Sequence, residues 1–323
     1  MLTETLPTKM SALHPDWPQA RFNISGMFAH EPLIVRYLEV VEKDLGVRAP
    51  IEAVHGAPPV PWNGGRLARV AFNRERFAAH LEFLHSKGVG YFPTFTNRFV
   101  TKEELGDPAC NYILECISRR ADLNGVIVVS DLLSEYIAER YPRLRQVASV
   151  IKVTMEHGEG RGEYYSGLGE RFERYVVDPD DGRDVGLLEQ LDRAKAEILV
   201  NENCVADCPK RARHYDAHAR LQRAATPAER QLAQREVDDI CRTCGSLLNL
   251  NRMGCGERSC NLSRGELREI YQMGFRHFKL QGRADDPFTY AYDLVRFTLE
   301  PEFAAPRIFK VLSTWMCTVA VPC

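Results

Sequence analysis

An α/β barrel of eight parallel strands, (β/α)8 and TIM-like, is the fold this 323-residue sequence predicts. Three observations point to it. Eight short apolar runs, most of them rich in β-branched or aromatic residues, alternate with longer amphipathic segments, as strands buried on both faces and their covering helices require. The first run lacks the Gly-rich phosphate fingerprint that follows the first strand of an open dinucleotide-binding sheet. The spacing between runs is broken only once, near the end of the chain. One barrel domain over residues 1–323 accounts for the length, because such barrels run to about 250 residues and accept insertions.

The expected strands are Phe22–Met27, Ile51–Val54, Val89–Thr96, Val126–Ser130, Val147–Thr154, Tyr175–Asp178, Ala196–Asn201 and Phe275–Leu280. Between the first two, Pro32–Leu45 carries Leu33, Val35, Leu38, Val41 and Leu45 at helical spacing. Arg74–Lys87 gathers Phe77, Leu81 and Leu84 on one face, with Gly88 as a C-terminal cap. Leu132–Arg140, Val185–Arg193 and Arg264–Gln272 follow the same pattern, the last with Ser263 as N-cap. Roughly 75 residues then part Asn201 from Phe275, far beyond an ordinary connection. They define an insertion over 204–264, between the seventh and eighth strands, with a charged helical stretch at Lys210–Asp239. Barrel chemistry sits on the loops after the strands, so the insertion belongs to the functional face. Residues 310–323 read as a C-terminal tail.

Charge narrows the class further. Lys and Arg number 42 against 44 Asp and Glu, so the basic excess of a nucleic-acid binder is missing. No apolar run reaches the roughly 18 residues of a transmembrane helix. The opening MLTETLPTKMSALHPDWPQ lacks a signal-peptide pattern. A cytoplasmic protein with neither membrane nor nucleic acid as partner is expected.

Six of the ten cysteines fall inside the insertion: Cys204-x3-Cys208, Cys241-x2-Cys244 and Cys255-x4-Cys260. In a reducing compartment such clustering points to metal or redox chemistry rather than disulfides. Two CxxC-like pairs would suit tetrahedral zinc. Iron–sulfur clusters also take four thiolates and accept less regular spacing, which favours them here and leaves zinc as the alternative. Cys110 and Cys116 lie outside the cluster and are expected to tolerate change, and Cys317 and Cys323 read as incidental thiols of the tail.

The segment ILVNENCVADCPKRARHY, Ile198–Tyr215, resembles the strand–Asn–Cys–Cys-Pro–His run of the peptidase U-thirty-two (collagenase-like) superfamily. SCNLSRGELREIYQMGFRHFKLQGR, Ser259–Arg283, resembles that family's second signature, in which a cysteine precedes a helix and a strand ending Lys-Leu/Ile-x-Gly-Arg. TFTNRF, Thr94–Phe99, is similar to a strand end of the branch containing the oxygen-independent ubiquinone hydroxylation proteins. The resemblance implies a barrel carrying a [4Fe–4S] cluster. Cys204, Cys208 and Cys260 match its ligands, and Cys255, Cys244 and Cys241 compete for the fourth place.

Polar residues at the strand ends would line the mouth: Asn23 and Ser25, Glu52 and His55, Asn97 and Arg98, then Asp131, Glu156, His157 and Asp178. Asn201 and Asn203 close the seventh strand, and Lys279, Gln281 and Arg283 the eighth. His55 and Glu52 are the acid–base candidates. Asn97, Asn203 and Arg283 complete the expected catalytic set, Arg283 and Lys279 as anchors for an anion or counter-charges to thiolates. His214 and His218 stand one helical turn apart, the spacing of a metal pair, amid Arg and Asp that read as a solvated face. The glycine-rich His157–Phe172 reads as a lid over the mouth. No GxSxG or HExxH motif supports a hydrolase. The expected function is an iron–sulfur enzyme performing an oxygen-independent, hydroxylation-type oxidation or a sulfur transfer on a small-molecule or peptide-borne substrate. The alternatives are a non-catalytic cluster- or zinc-stabilised barrel subunit that docks a partner or electron-donor protein and relays electrons, and a collagenase-like peptidase.

Overall fold

A computed structural model describes residues 12–65, 71–156, 158, 160–202, 204–243, 260–282 and 286–319, excluding the side chains of Cys241 and Thr243. Its strands are β1 Arg21–Ser25, β2 Ile51–His55, β3 Gly90–Phe92, β4 Thr94–Phe95, β5 Gly125–Val128, β6 Arg145–Ala148, β7 Arg174–Val176, β8 Ala196–Leu199 and β9 His277–Leu280. All pair in parallel, in the order β3-β2-β1-β9-β8-β7-β6-β5-β4. Only Pro93 separates β3 from β4, the two ends of that order. Proline has no N–H to give the ladder, but its carbonyl still accepts from Ile127 N at 3.0 Å. The two edges are therefore pieces of one strand, and the barrel has the eight strand positions expected.

The helices are α1 Glu31–Leu45, α2 Arg74–Ser86, α3 Pro108–Ser118, α4 Asp131–Arg140, α5 Val150–Glu156, α6 Arg161–Arg171, α7 Val185–Gln190, α8 Arg211–Arg223, α9 Pro227–Thr243, α10 Arg264–Gln272, α11 Pro287–Thr298 and α12 Ala304–Val319. Caps stand where short polar residues meet the first turn. Asp107 accepts from the N–H groups of Ala109 and Cys110, and Ser263 with Glu266 forms a reciprocal capping box before α10.

Three expectations change. The run Val147–Thr154 is half strand and half helix: Ser149 breaks it, its hydroxyl accepting from Ile151 N at 3.2 Å to start α5. The glycine-rich segment expected as a lid contains α6, whose Tyr165 and Leu168 are buried, so it is a connecting helix of the barrel. The expected tail belongs largely to α12, which buries Ile308, Leu312 and Met316, with α1 and α11 as its neighbours.

Alternation divides the strand side chains into two layers. Phe22, Ile24, Val54, Tyr91, Val126, Val128, Tyr175, Ile198, Phe278 and Leu280 join the shell between sheet and helices. Burial of each large apolar side chain there contributes about 1.5–3 kcal/mol. Inside the barrel Ala53, Phe92, Ile127, Val129, Val147 and Val176 form a second, smaller cluster. Beside that cluster the interior carries a set of buried polar side chains, Asn23, His55, Glu197 and Lys279. Beyond Arg145 and Arg174, which open β6 and β7, the wall from β3 to β7 is thus mostly apolar, and the wall of β8, β9, β1 and β2 carries hydrogen-bonding groups.

Candidate functional site

The carboxyl ends of β7, β8 and β9 hold the densest chemistry. Cys204 follows β8, and Cys260 returns from the far end of the insertion to donate its N–H to the Cys204 carbonyl at 3.1 Å. Next to it, Leu262 N donates to Val200 O at 3.0 Å, so the returning chain lies along the extension of β8. Asp207 turns the chain between Cys204 and Cys208 with a left-handed φ of 51°, and the Cys208 carbonyl accepts from Arg211 N at 3.1 Å as α8 begins.

Arg211 organises the site. Its guanidinium meets Asp178 at 2.9 Å, Asp180 at 2.6 Å and the Val205 carbonyl at 2.9 Å, and also approaches Cys260 Sγ at 3.5 Å. Its charge also acts on the Cys204 thiol. Burial pushes the Cys204 thiol up to about 12, Glu202 adding to the rise and Arg211 opposing it. Burial raises Cys260 too, again against the pull of Arg211. Burial thus favours the protonated thiols, and a metal that binds them would displace those protons. Sulfur donors beside a fixed cation, Cys260 buried and Cys204 and Cys208 half-buried, suit a soft, thiolate-ligated cluster whose negative charge the guanidinium would offset. Among the described residues no group of three His, Cys, Asp or Glu is arranged to hold a single ion. The fourth-ligand candidates Cys244 and Cys255, and the Cys241 side chain, lie outside the described residues, as do Asn203, Arg283, His157 and Cys323.

Below the cysteines, His55 ends β2 with Nδ1 2.9 Å from Asn23 Oδ1. Lys279, paired in register with Asn23, is 3.5 Å from Glu197 Oε2. Glu197, Lys279, Asn23 and His55 therefore form a polar row across four adjacent strands. Asn201 fastens the ends of β8 and β9: Nδ2 donates to Gln281 O at 2.9 Å and to Asp293 at 2.8 Å, and Oδ1 accepts from Gln281 N at 2.7 Å. Gly282, the glycine of the Lys-Leu-x-Gly-Arg signature, lies under the Tyr290 ring; a Cβ there would sit 2.1 Å from that ring.

Two expected catalytic residues have other work. Glu52 is at the opposite, amino-terminal end of the barrel. A β-bulge opposite Phe22 and Asn23 makes Glu52 the extra residue of β2 and admits it to the interior beside Ala53. There it binds Arg174 at 2.8 Å, His277 Nδ1 at 3.2 Å and Arg145 at 3.5 Å. Burial alone would raise its carboxyl, but the bonds from His277 and Arg174 outweigh that and hold it well below the usual range. Asn97 is wholly buried with both amide ends used: Nδ2 donates to the carbonyls of Pro61 at 3.0 Å and Ala219 at 3.1 Å, and Oδ1 accepts from Phe99 N at 3.0 Å. It ties the strand end to α8. Arg98 pairs with Asp216 through two bonds of 2.5 and 2.8 Å. Asp131 and Glu156 both bind the buried Lys152, at 3.0 and 2.8 Å.

With these bonds α8 is drawn across the mouth. Gln222 Nε2 reaches Gly65 O at 2.6 Å, Arg223 reaches Glu104 at 3.0 Å, and Tyr215 packs on the apolar interior wall. Burial, Glu202 and Cys204 together raise the Tyr215 phenol well above its ordinary value. Arg211, Asp180, Tyr215 and Glu197 are absent from the residues singled out in the sequence. A charge inside an apolar run was the available signal for Glu197 in AEILVN. Arg211 carried none beyond its place three residues after Cys208.

A closed parallel barrel, with polar side chains at its carboxyl end and a cysteine-bearing insertion over them, defines a TIM-like (β/α)8 protein. No family model and no curated protein matches the sequence. Among solved structures the fold is similar to that of the U32 peptidase Mk0906, with a TM-score of 0.51 and 13% identity over 81% of this chain and 92% of that one. At that identity the likeness is one of fold alone. No helix among the described residues is long and apolar enough to cross a membrane.

Proposed function

We propose that the chain is an iron–sulfur enzyme acting at the carboxyl-end mouth of the barrel, with Cys204, Cys208, Cys260 and one of Cys255, Cys244 or Cys241 as cluster ligands. The observation that carries this reading is the return of Cys260 to Cys204 beside a shared buried Arg211. A [4Fe–4S] cluster held there would supply one-electron transfer, in keeping with an oxygen-independent, hydroxylation-type oxidation or a sulfur transfer. Arg211 neutralises thiolate charge. His55, oriented by Asn23, holds or moves a proton at its far ring nitrogen. Tyr215 and the apolar wall exclude water from one side of the mouth, while Lys279 and Glu197 give the other side a fixed pair of charges. A small-molecule or peptide-borne group with an apolar face and a polar edge suits that division.

Anaerobic purification followed by iron and sulfide analysis tests the proposal. About four iron and four sulfide per chain are expected. Stoichiometric zinc without acid-labile sulfide would leave the zinc-stabilised, partner-docking barrel in its place. Peptide hydrolysis by iron-free chain would favour the peptidase activity named for the structural neighbour.

A further inference from the structure

On α8, His214 and His218 turn their Nε2 atoms toward each other at 3.0 Å, with ring centroids 4.7 Å apart and planes inclined by 39°. Two nitrogens at that separation, each about 2.0–2.1 Å from a common ion, subtend roughly 90–97° at it. That is the cis angle of square-planar or octahedral coordination, narrower than a tetrahedron offers, and imidazole is a ligand that copper and nickel favour. Both rings are half-buried, and the helix that carries them is held rigidly. Asn97 bonds the Ala219 carbonyl and Arg98 bonds Asp216 from one side, while Ala217 and Leu221 pack on Ala233, Val237 and Ile240 of α9 on another. Little ordering remains to oppose binding, because the ligand geometry is already set.

We propose that His214 and His218 form a two-imidazole chelate for a divalent transition-metal ion of the nickel–copper type, distinct from the thiol centre around Arg211. The site goes beyond the proposed iron–sulfur function and stands whether or not that function does.

Ni2+ titrated calorimetrically into the full chain under anaerobic conditions tests it. One Ni2+ per chain is expected. His214→Ala and His218→Ala should each weaken binding roughly 100-fold, since a second tethered ligand raises affinity by about 10²–10⁴. Cys204→Ser should leave it unchanged. Absence of saturable binding, survival of binding in the double histidine variant, or its loss in Cys204→Ser alone would overturn the proposal. Cu2+ added to the unsubstituted chain gives a second measurement that needs no variant. Its electron paramagnetic resonance spectrum should show nitrogen coupling, and a thiolate-type spectrum would count against the pair.

Discussion

Cys260 donates its backbone N–H to the Cys204 carbonyl at 3.1 Å, and this bond, with the one from Leu262 to Val200, brings the two ends of the insertion together. Backbone pairing and the Arg211 contact to Cys260 hold the chain on either side of these two sulfurs. The large core lies elsewhere, between the sheet and its helices. Removal of metal should therefore leave the barrel folded, unlike a zinc finger, whose folding free energy is its metal-binding free energy. Circular dichroism of chelator-treated protein checks this; collapse of the helical signal would show that metal holds the fold.

Replacing Cys204, Cys208 or Cys260 by Ser should lower bound iron, whereas Cys110→Ser should not. Cys110 is fully buried in the shell behind β3, and its thiol is driven far up, first by burial and then by Asp107. Iron content of the four variants decides the matter, and loss of iron in Cys110→Ser would refute the ligand assignment.

Arg211→Met should destabilise the chain by about 3–5 kcal/mol, the cost of breaking a buried ion pair from one side and leaving Asp178 and Asp180 uncompensated. Denaturant midpoints measure the change. An unaffected midpoint would mean that water reaches the site freely.

At the far end of the barrel, Glu52→Gln should cost a comparable amount, because Arg174 is only 9% exposed at its side chain. The folded carboxyl is depressed by His277 and Arg174 despite its burial. Its stabilisation is therefore present above the unfolded value of about 4.3 and lost as pH falls below it. A Glu52→Gln melting curve that kept the wild-type pH dependence below that point would contradict this role.

Acid should act earlier through two histidines. Burial lowers His14 and His80 each to about 4. His14 is stacked on Trp17 at 3.6 Å, and His80 has Arg76 as a further lowering charge. Both are neutral when folded and readily protonated when unfolded. Stability should fall as pH drops from about 6.5 to 4 and then level off with respect to these groups. His80→Gln should flatten that slope by about one proton, as read from melting temperature against pH.

His55→Ala should reduce turnover by about 10²–10⁴ with iron content and thermal stability nearly intact, because it removes a proton-transfer group and not a ligand. Parallel iron assays and melts separate this outcome from simple loss of the centre.

Local periodicity is why so much of the barrel was legible. All eight strand positions and the helices around Leu38, Leu81 and Leu267 follow from patterns a few residues long. Ser149 and Pro93 show its limit: a single residue switches VASVIKVT from strand to helix or splits one strand into two, and apolar character does not change at either point. The role of Asn97 was hidden for another reason. Its partners Pro61 and Ala219 lie far away in the chain, and nothing near an asparagine reveals which carbonyls it will meet.

By itself, then, the sequence determined the succession of strands and helices, the place of the insertion and the spacing of its cysteines, since each depends on contacts between neighbours along the chain. Tertiary structure decided which end of the barrel each polar residue serves. A bulge of one residue in β2 admitted Glu52 to the floor, and the register of β1, β2, β8 and β9 aligned Glu197, Lys279, Asn23 and His55 into one row. Register and bulges are settled by the combined packing of whole strands, and only that packing brought Cys260, Cys204 and Arg211 together.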